Sequence, residues 1–117
     1  MMPPHPQEAA APLRKEVPVD LDRICRELKI SHRRSKTSAK LVGTPVMIVM
    51  REEGHIIVWF DGPAMTEAEK RFAIAHEIGH TFFFRRRDPP DRAEERWCDL
   101  FAKALLEGEE IGKKKTC

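Results

Sequence analysis

The chain has 117 residues, with 21 basic and 19 acidic side chains and a formal net charge of +2. That length fits one domain with one modest core, and the balanced charge gives no general bias toward nucleic acid. Cys25, Cys98 and Cys117 show no paired spacing and no positively flanked apolar segment opens the chain, so reduced thiols in a cytoplasmic protein are expected. No apolar run approaches the roughly 20 residues that a membrane-spanning helix needs.

Residues 1–18 contain Pro3, Pro4, Pro6, Pro12 and Pro18 among alanines and charged residues. Such a composition buries too little apolar surface to offset its ordering entropy, and a disordered tail is expected. From Val19 to Ile30, Leu21, Ile24, Cys25 and Leu28 recur at helical spacing, with Asp20 and Asp22 where a helix dipole favours negative charge. Cys25 then lies on the apolar face as a small buried hydrophobe. Ser31 to Lys40 holds His32, Arg33, Arg34, Lys36 and Lys40 with no large apolar residue, and reads as a solvated basic loop. Leu41-Val42 is a candidate short strand.

Two apolar runs follow, Val46 to Met50 and Ile56 to Phe60, separated by Arg51-Glu52-Glu53-Gly54-His55. Their length and branched or aromatic content predict a hairpin, with Gly54 in the turn and His55 exposed beside it. One strand edge is a candidate for binding an extended peptide. Asp61-Gly62-Pro63 ends the second strand.

Thr66-Glu67-Ala68-Glu69 then reads as a capping box, so a helix starts near residue 66. Phe72, Ala75, Ile78 and Gly79 give it an apolar stripe, with Phe82 and Phe83 beyond. Within it lies the run HEIGH, residues 76 to 80. Histidines four apart project from one helix face, which suits two nitrogens gripping one metal ion, while Glu77 can reach a water at the metal's open position. Gly79 costs such a helix about 1 kcal/mol relative to alanine, which predicts a closely packed neighbour. Phe82-Phe83-Phe84 can anchor the helix end, and Arg85-Arg86-Arg87 complements its dipole before Pro89-Pro90 stops it.

A catalytic zinc site needs a third protein ligand. Asp91 to Leu106 reads as a second helix, with Trp97, Leu100, Phe101, Ala104 and Leu105 on its core face and Glu95 and Asp99 four apart on another. A carboxylate from this helix can complete the site, and a second can orient a histidine through its free ring N–H. Cys98 is read as packing, with a thiolate ligand as the alternative.

The runs RFAIAHEIGH (Arg71 to His80) and EERWCDLFAKALL (Glu94 to Leu106) resemble the ImmA/IrrE family of metallopeptidases. The likeness covers about Pro45 to Leu106. It implies a minimal zincin-like α+β domain at residues 19–108, with an N-terminal helix, a small antiparallel hairpin sheet, the HExxH helix and a following helix that carries the third ligand. It also implies one zinc ion per chain and cleavage of a partner protein, a helix-turn-helix transcriptional repressor. No membrane or direct nucleic-acid binding is expected. Carried onto this chain, His76, His80 and Glu95 become metal ligands, Glu77 the general base, and Asp99 the group behind a histidine, with Glu94 the runner-up for Glu95.

Family members usually follow the Leu-Leu pair with Met-Pro, whereas this chain reads Leu105-Leu106-Glu107-Gly108. It then runs into a basic tail over residues 109–117. This departure motivates an alternative, a zinc-stabilised domain that regulates a repressor by binding it. The chain contains no tyrosine, so an oxyanion donor besides zinc would be a histidine, an arginine or the backbone.

Overall fold

The structure, a computed structural model, describes residues 3–84 and 90–109. In chain order these form α1 (Pro6–Ala10), α2 (Leu21–Glu27), β1 (Ile30–Ser38), α3 (Ala39–Val42), β2 (Val46–Val49), β3 (His55–Asp61), α4 (Glu67–His80) and α5 (Arg92–Leu105). One-turn 3-10 segments lie at Ala11–Leu13 and Thr81–Phe83. The result is an α+β domain built on a three-stranded sheet of order β1-β3-β2. No helix among the described residues is long and apolar enough to cross a membrane.

The expected hairpin is β2–β3, antiparallel with Val46 opposite Trp59 and Ile48 opposite Ile57. Gly54 takes a positive φ of 149° in its turn, and a Cβ there would lie 3.3 Å from the Lys29 carbonyl oxygen. The sheet is mixed rather than antiparallel throughout, because β1 pairs parallel to β3 from Ile30 opposite His55 to Arg34 opposite Trp59. The segment expected as a basic loop is therefore an edge strand. Its charged side chains stay in water while its backbone bonds to β3, and lysine or arginine on an edge strand discourages unwanted pairing. Leu41-Val42 belongs to the single helical turn α3, capped by the Ser38 hydroxyl, and not to a strand.

Two further expectations change. The helix predicted over Val19–Ile30 is the shorter α2, capped by Asp20 and ended where Lys29 turns to φ 59° and releases the chain into β1. The segment read as a disordered tail is helical at Pro6–Ala10, with Ala9 and Ala10 buried. The Trp97 indole N–H donates to the Pro4 carbonyl at 2.9 Å, and Arg14 donates to the Glu107 carbonyl at 2.7 Å. The apolar surface that holds α1 comes from α5, so local composition does not register it. At the other end, Glu109 accepts from both Nε and Nη2 of Arg71 at 3.0 Å and from the Val19 amide at 2.9 Å. The rest of the expected basic tail, residues 110–117, lies outside the described residues, as do Arg85–Arg87.

The core draws on one face of the sheet, through Ile30, Val46 and Ile57, and on Leu21, Ile24, Ala75, Ile78, Phe101, Ala102 and Leu105 from the helices. Phe82 and Trp97 pack against it, with their rings 5.2 Å apart and each within 5.5 Å of the Phe101 ring. At α4 the Thr66 hydroxyl accepts from the Glu69 amide while Glu69 accepts from the Thr66 amide, so the capping box forms in full. The two long helices meet at Gly79, where a Cβ would lie 3.1 Å from the Cys98 sulfur and 3.2 Å from Phe101. The missing side chain lets α5 come close enough to put its carboxylates against the histidines of α4.

Candidate metal centre

From α4, His76 and His80 bring their rings to 5.0 Å between centroids. From α5, Glu94, Glu95, Cys98 and Asp99 meet them, and nearly every contact is short. His76 faces Asp99 through Nδ1 at 2.8 Å and Glu95 through Nε2 at 2.9 Å. His80 faces Glu94 through Nδ1 at 2.8 Å, and its Nε2 lies 3.6 Å from the second Glu95 oxygen. Each Nδ1 thus has a carboxylate of its own, and both Nε2 atoms converge on the one carboxylate of Glu95. A carboxylate only accepts hydrogen bonds, so Asp99 and Glu94 favour N–H at Nδ1, and a metal ion held at the Nε2 atoms would take the place of the proton that His76 shares there with Glu95.

Burial divides the cluster. His80 and Glu94 are 5% and 3% exposed, whereas the side chains of Glu95 and Asp99 are about half exposed, at 49% and 53%. The Nε2 side therefore opens to solvent, as a site that admits water and substrate must, and the Glu94 side is closed.

A second donor set exists. His76, His80 and Cys98 can each offer one ligand atom with all three inside 4.8 Å of one another, so this His-His-Cys group could also hold a metal ion. The Cys98 sulfur lies 3.5 Å from Nδ1 of His80, on the edge where Glu94 is bonded. With no metal bound, burial and the surrounding carboxylates of Glu94, Glu95, Glu77 and Asp99 push its thiol well above the ordinary range. Both sets share the two histidines and differ in the third donor.

Glu77 is 8% exposed, and one of its oxygens accepts the Ile48 amide of β2 at 3.0 Å. Burial pushes its carboxyl above the usual carboxylate range, against the pull of His80 and His76 and of that amide, while the charge of Glu95 adds to the push. A carboxyl raised in this way holds a proton more readily than an ordinary carboxylate.

All five residues singled out from the sequence, His76, Glu77, His80, Glu95 and Asp99, come together here. Glu94, the runner-up for Glu95, stands behind His80 as Asp99 stands behind His76. The only sequence signal for this was its place one residue before Glu95, since adjacent helical positions are about 100° apart and face different edges of a neighbouring group. Of the other histidines, His55 is half-buried at the start of β3 and accepts the Arg51 amide at 3.2 Å, which departs from the exposed position expected for it. Comparison with models of protein families, with curated proteins and with solved structures finds no match to this chain.

Proposed function

We propose that the chain is a zinc-dependent endopeptidase of zincin-like build, with His76, His80 and Glu95 as ligands and Glu77 as general base. The observation that carries this reading is the convergence of both Nε2 atoms on Glu95 while each Nδ1 is held by a separate carboxylate. Zinc bonds of about 2.0–2.1 Å in tetrahedral arrangement separate neighbouring ligand atoms by about 3.4 Å. One Glu95 oxygen lies 2.9 Å from Nε2 of His76 and the other 3.6 Å from Nε2 of His80, so the carboxylate stands beside both nitrogens and would shift to present a single oxygen as ligand. The Cys98 set would leave Glu95, which stands beside both histidines, without a role.

A bound zinc ion would polarise a peptide carbonyl and acidify a water molecule. The residues of the chain supply the rest. Glu95 and the two histidines position the site on rigid helices, and Asp99 and Glu94 hold the rings in orientation. Glu77 takes the proton of the attacking water at its carboxylate and returns it to the leaving amine. The oxygen that does not accept the Ile48 amide is the one available for this transfer.

The resemblance to ImmA/IrrE metallopeptidases supports a helix-turn-helix repressor as the partner cleaved, in a cytoplasmic setting. The test is incubation of zinc-loaded protein with a repressor encoded beside its gene and with a denatured-proteome peptide library, read by mass spectrometry. Wild type is expected to cut. Glu77→Gln is expected to retain zinc and to cut about 10²–10⁴ times more slowly, the usual worth of a general base. Equal cutting by the two proteins would remove Glu77 from the mechanism.

The burial of Glu77 and its bond to Ile48 also favour a second reading, a metal-stabilised module that binds its repressor without cutting it. That reading predicts regulation that is unaffected by Glu77→Gln and abolished by Glu95→Ala.

A further inference from the structure

The sheet has a second face that the core does not use. Strand side chains alternate between faces, and the ladder aligns two complete rows on the outer one: Ser31, Ile56 and Val49, then Arg33, Val58 and Met47. Met47 and Val49 are 37% and 40% exposed, and Ile56 and Val58 are partly exposed. None of the four belongs to the core cluster or packs against it. They form a contiguous apolar strip across β2 and β3. Along one side of it runs β1, whose Arg33 stands in the outer row, is exposed and makes no ion pair among the described residues.

The size of the strip and the sign of its border limit the occupant. Three strands about 4.8 Å apart and two rows about 7 Å apart along the strands cover on the order of 200 Å². A stable interface buries about 800 Å² per partner, so any complex seated on this face alone is weak and transient. One amphipathic helix, about 10 Å across, fits the strip with its apolar stripe. A carboxylate on the flank of that helix over β1 would meet the unpaired Arg33.

We propose that the outer face of the sheet docks an acidic amphipathic helix of a partner protein. Met47, Val49, Ile56 and Val58 receive the apolar stripe, and Arg33 meets the acidic flank. The face is separate from the α4–α5 cluster, and the proposal stands whether or not that cluster is catalytic.

The test uses the whole chain and two synthetic helical peptides. Both carry leucine at positions i, i+3, i+4 and i+7; one has glutamates along a single flank and the other has lysines there. Binding of the glutamate peptide with methyl shifts at Met47, Val49, Ile56 and Val58 is the expected result. Val49→Lys, a change at an exposed position that leaves the amide spectrum folded, should weaken it about tenfold or more, as at the centre of an interface. Arg33→Glu should weaken the glutamate peptide and strengthen the lysine peptide. Equal binding of both peptides, insensitivity to Arg33→Glu, or shifts confined to β1 that duplex DNA reproduces would overturn the proposal. So would concentration-dependent dimerisation that Val49→Lys abolishes.

Discussion

Among the described residues, the α4–α5 junction and strand β1 both concentrate charge, and they handle it in opposite ways. At the junction, Glu77 and Glu94 are buried and each has a partner, the first on a backbone amide and the second on a histidine. On β1, Arg33, Arg34 and Lys36 lie in water without ion-pair partners among the described residues. Desolvating a carboxylate is costly unless it is bonded, so charge at the junction must be organised, whereas charge on an edge strand need only be soluble. Substitutions at the junction should therefore be felt strongly and those on β1 weakly.

The largest difference is expected at Glu94. Glu94→Ala leaves Nδ1 of His80 buried without its partner, which costs about 1–3 kcal/mol of stability. It should also lower metal affinity about 10–100-fold through lost orientation of the ring. Denaturant unfolding and competitive zinc titration measure the two effects, and a variant as stable and as tight-binding as wild type would mean that Glu94 does not hold the ring.

Gly79→Ala tests how the helices come together. Alanine favours an isolated helix by about 1 kcal/mol over glycine. Here, however, its Cβ would press on Cys98 and Phe101 at 3.1 and 3.2 Å. The expected net effect is a loss of about 1–3 kcal/mol and weaker zinc binding as α5 is displaced. A rise in melting temperature would show that the contact gives way easily.

The smallest effect is expected on β1. Arg34→Ser should change stability by about 0.5 kcal/mol or less and leave metal binding unaltered, because the side chain is exposed and makes no ion pair among the described residues. A larger loss by the same denaturant assay would mean that the strand depends on its side chains as well as its ladder.

The same contrast explains what the sequence conveyed. The helix of HEIGH was legible because its cap, its apolar period and its histidine spacing are all local, and the hairpin was legible because two apolar runs flank a glycine turn. Strand β1 was not, since apart from Ile30 its residues are never fully buried and no alternation of polarity marks it. Helix α1 was not, since Ala9 and Ala10 are buried by a helix some 90 positions away in the chain. At the site, the carboxylates of α5 could be anticipated as a group. Which of Glu94 and Glu95 faces Nε2 depends on the roll of α5 about its axis, and the contact at Gly79 helps to set that roll.

The most direct test of the central claim is zinc content per chain, by elemental analysis, for wild type, Glu95→Ala and Cys98→Ala, each purified without chelator or metal-affinity tag and then exposed to excess zinc and desalted. The account predicts about one zinc per chain in wild type and in Cys98→Ala, and loss of zinc from a folded Glu95→Ala protein. Zinc retained by Glu95→Ala and lost from Cys98→Ala would give the site to the thiolate set, and folded wild type without zinc would contradict a metal centre here altogether.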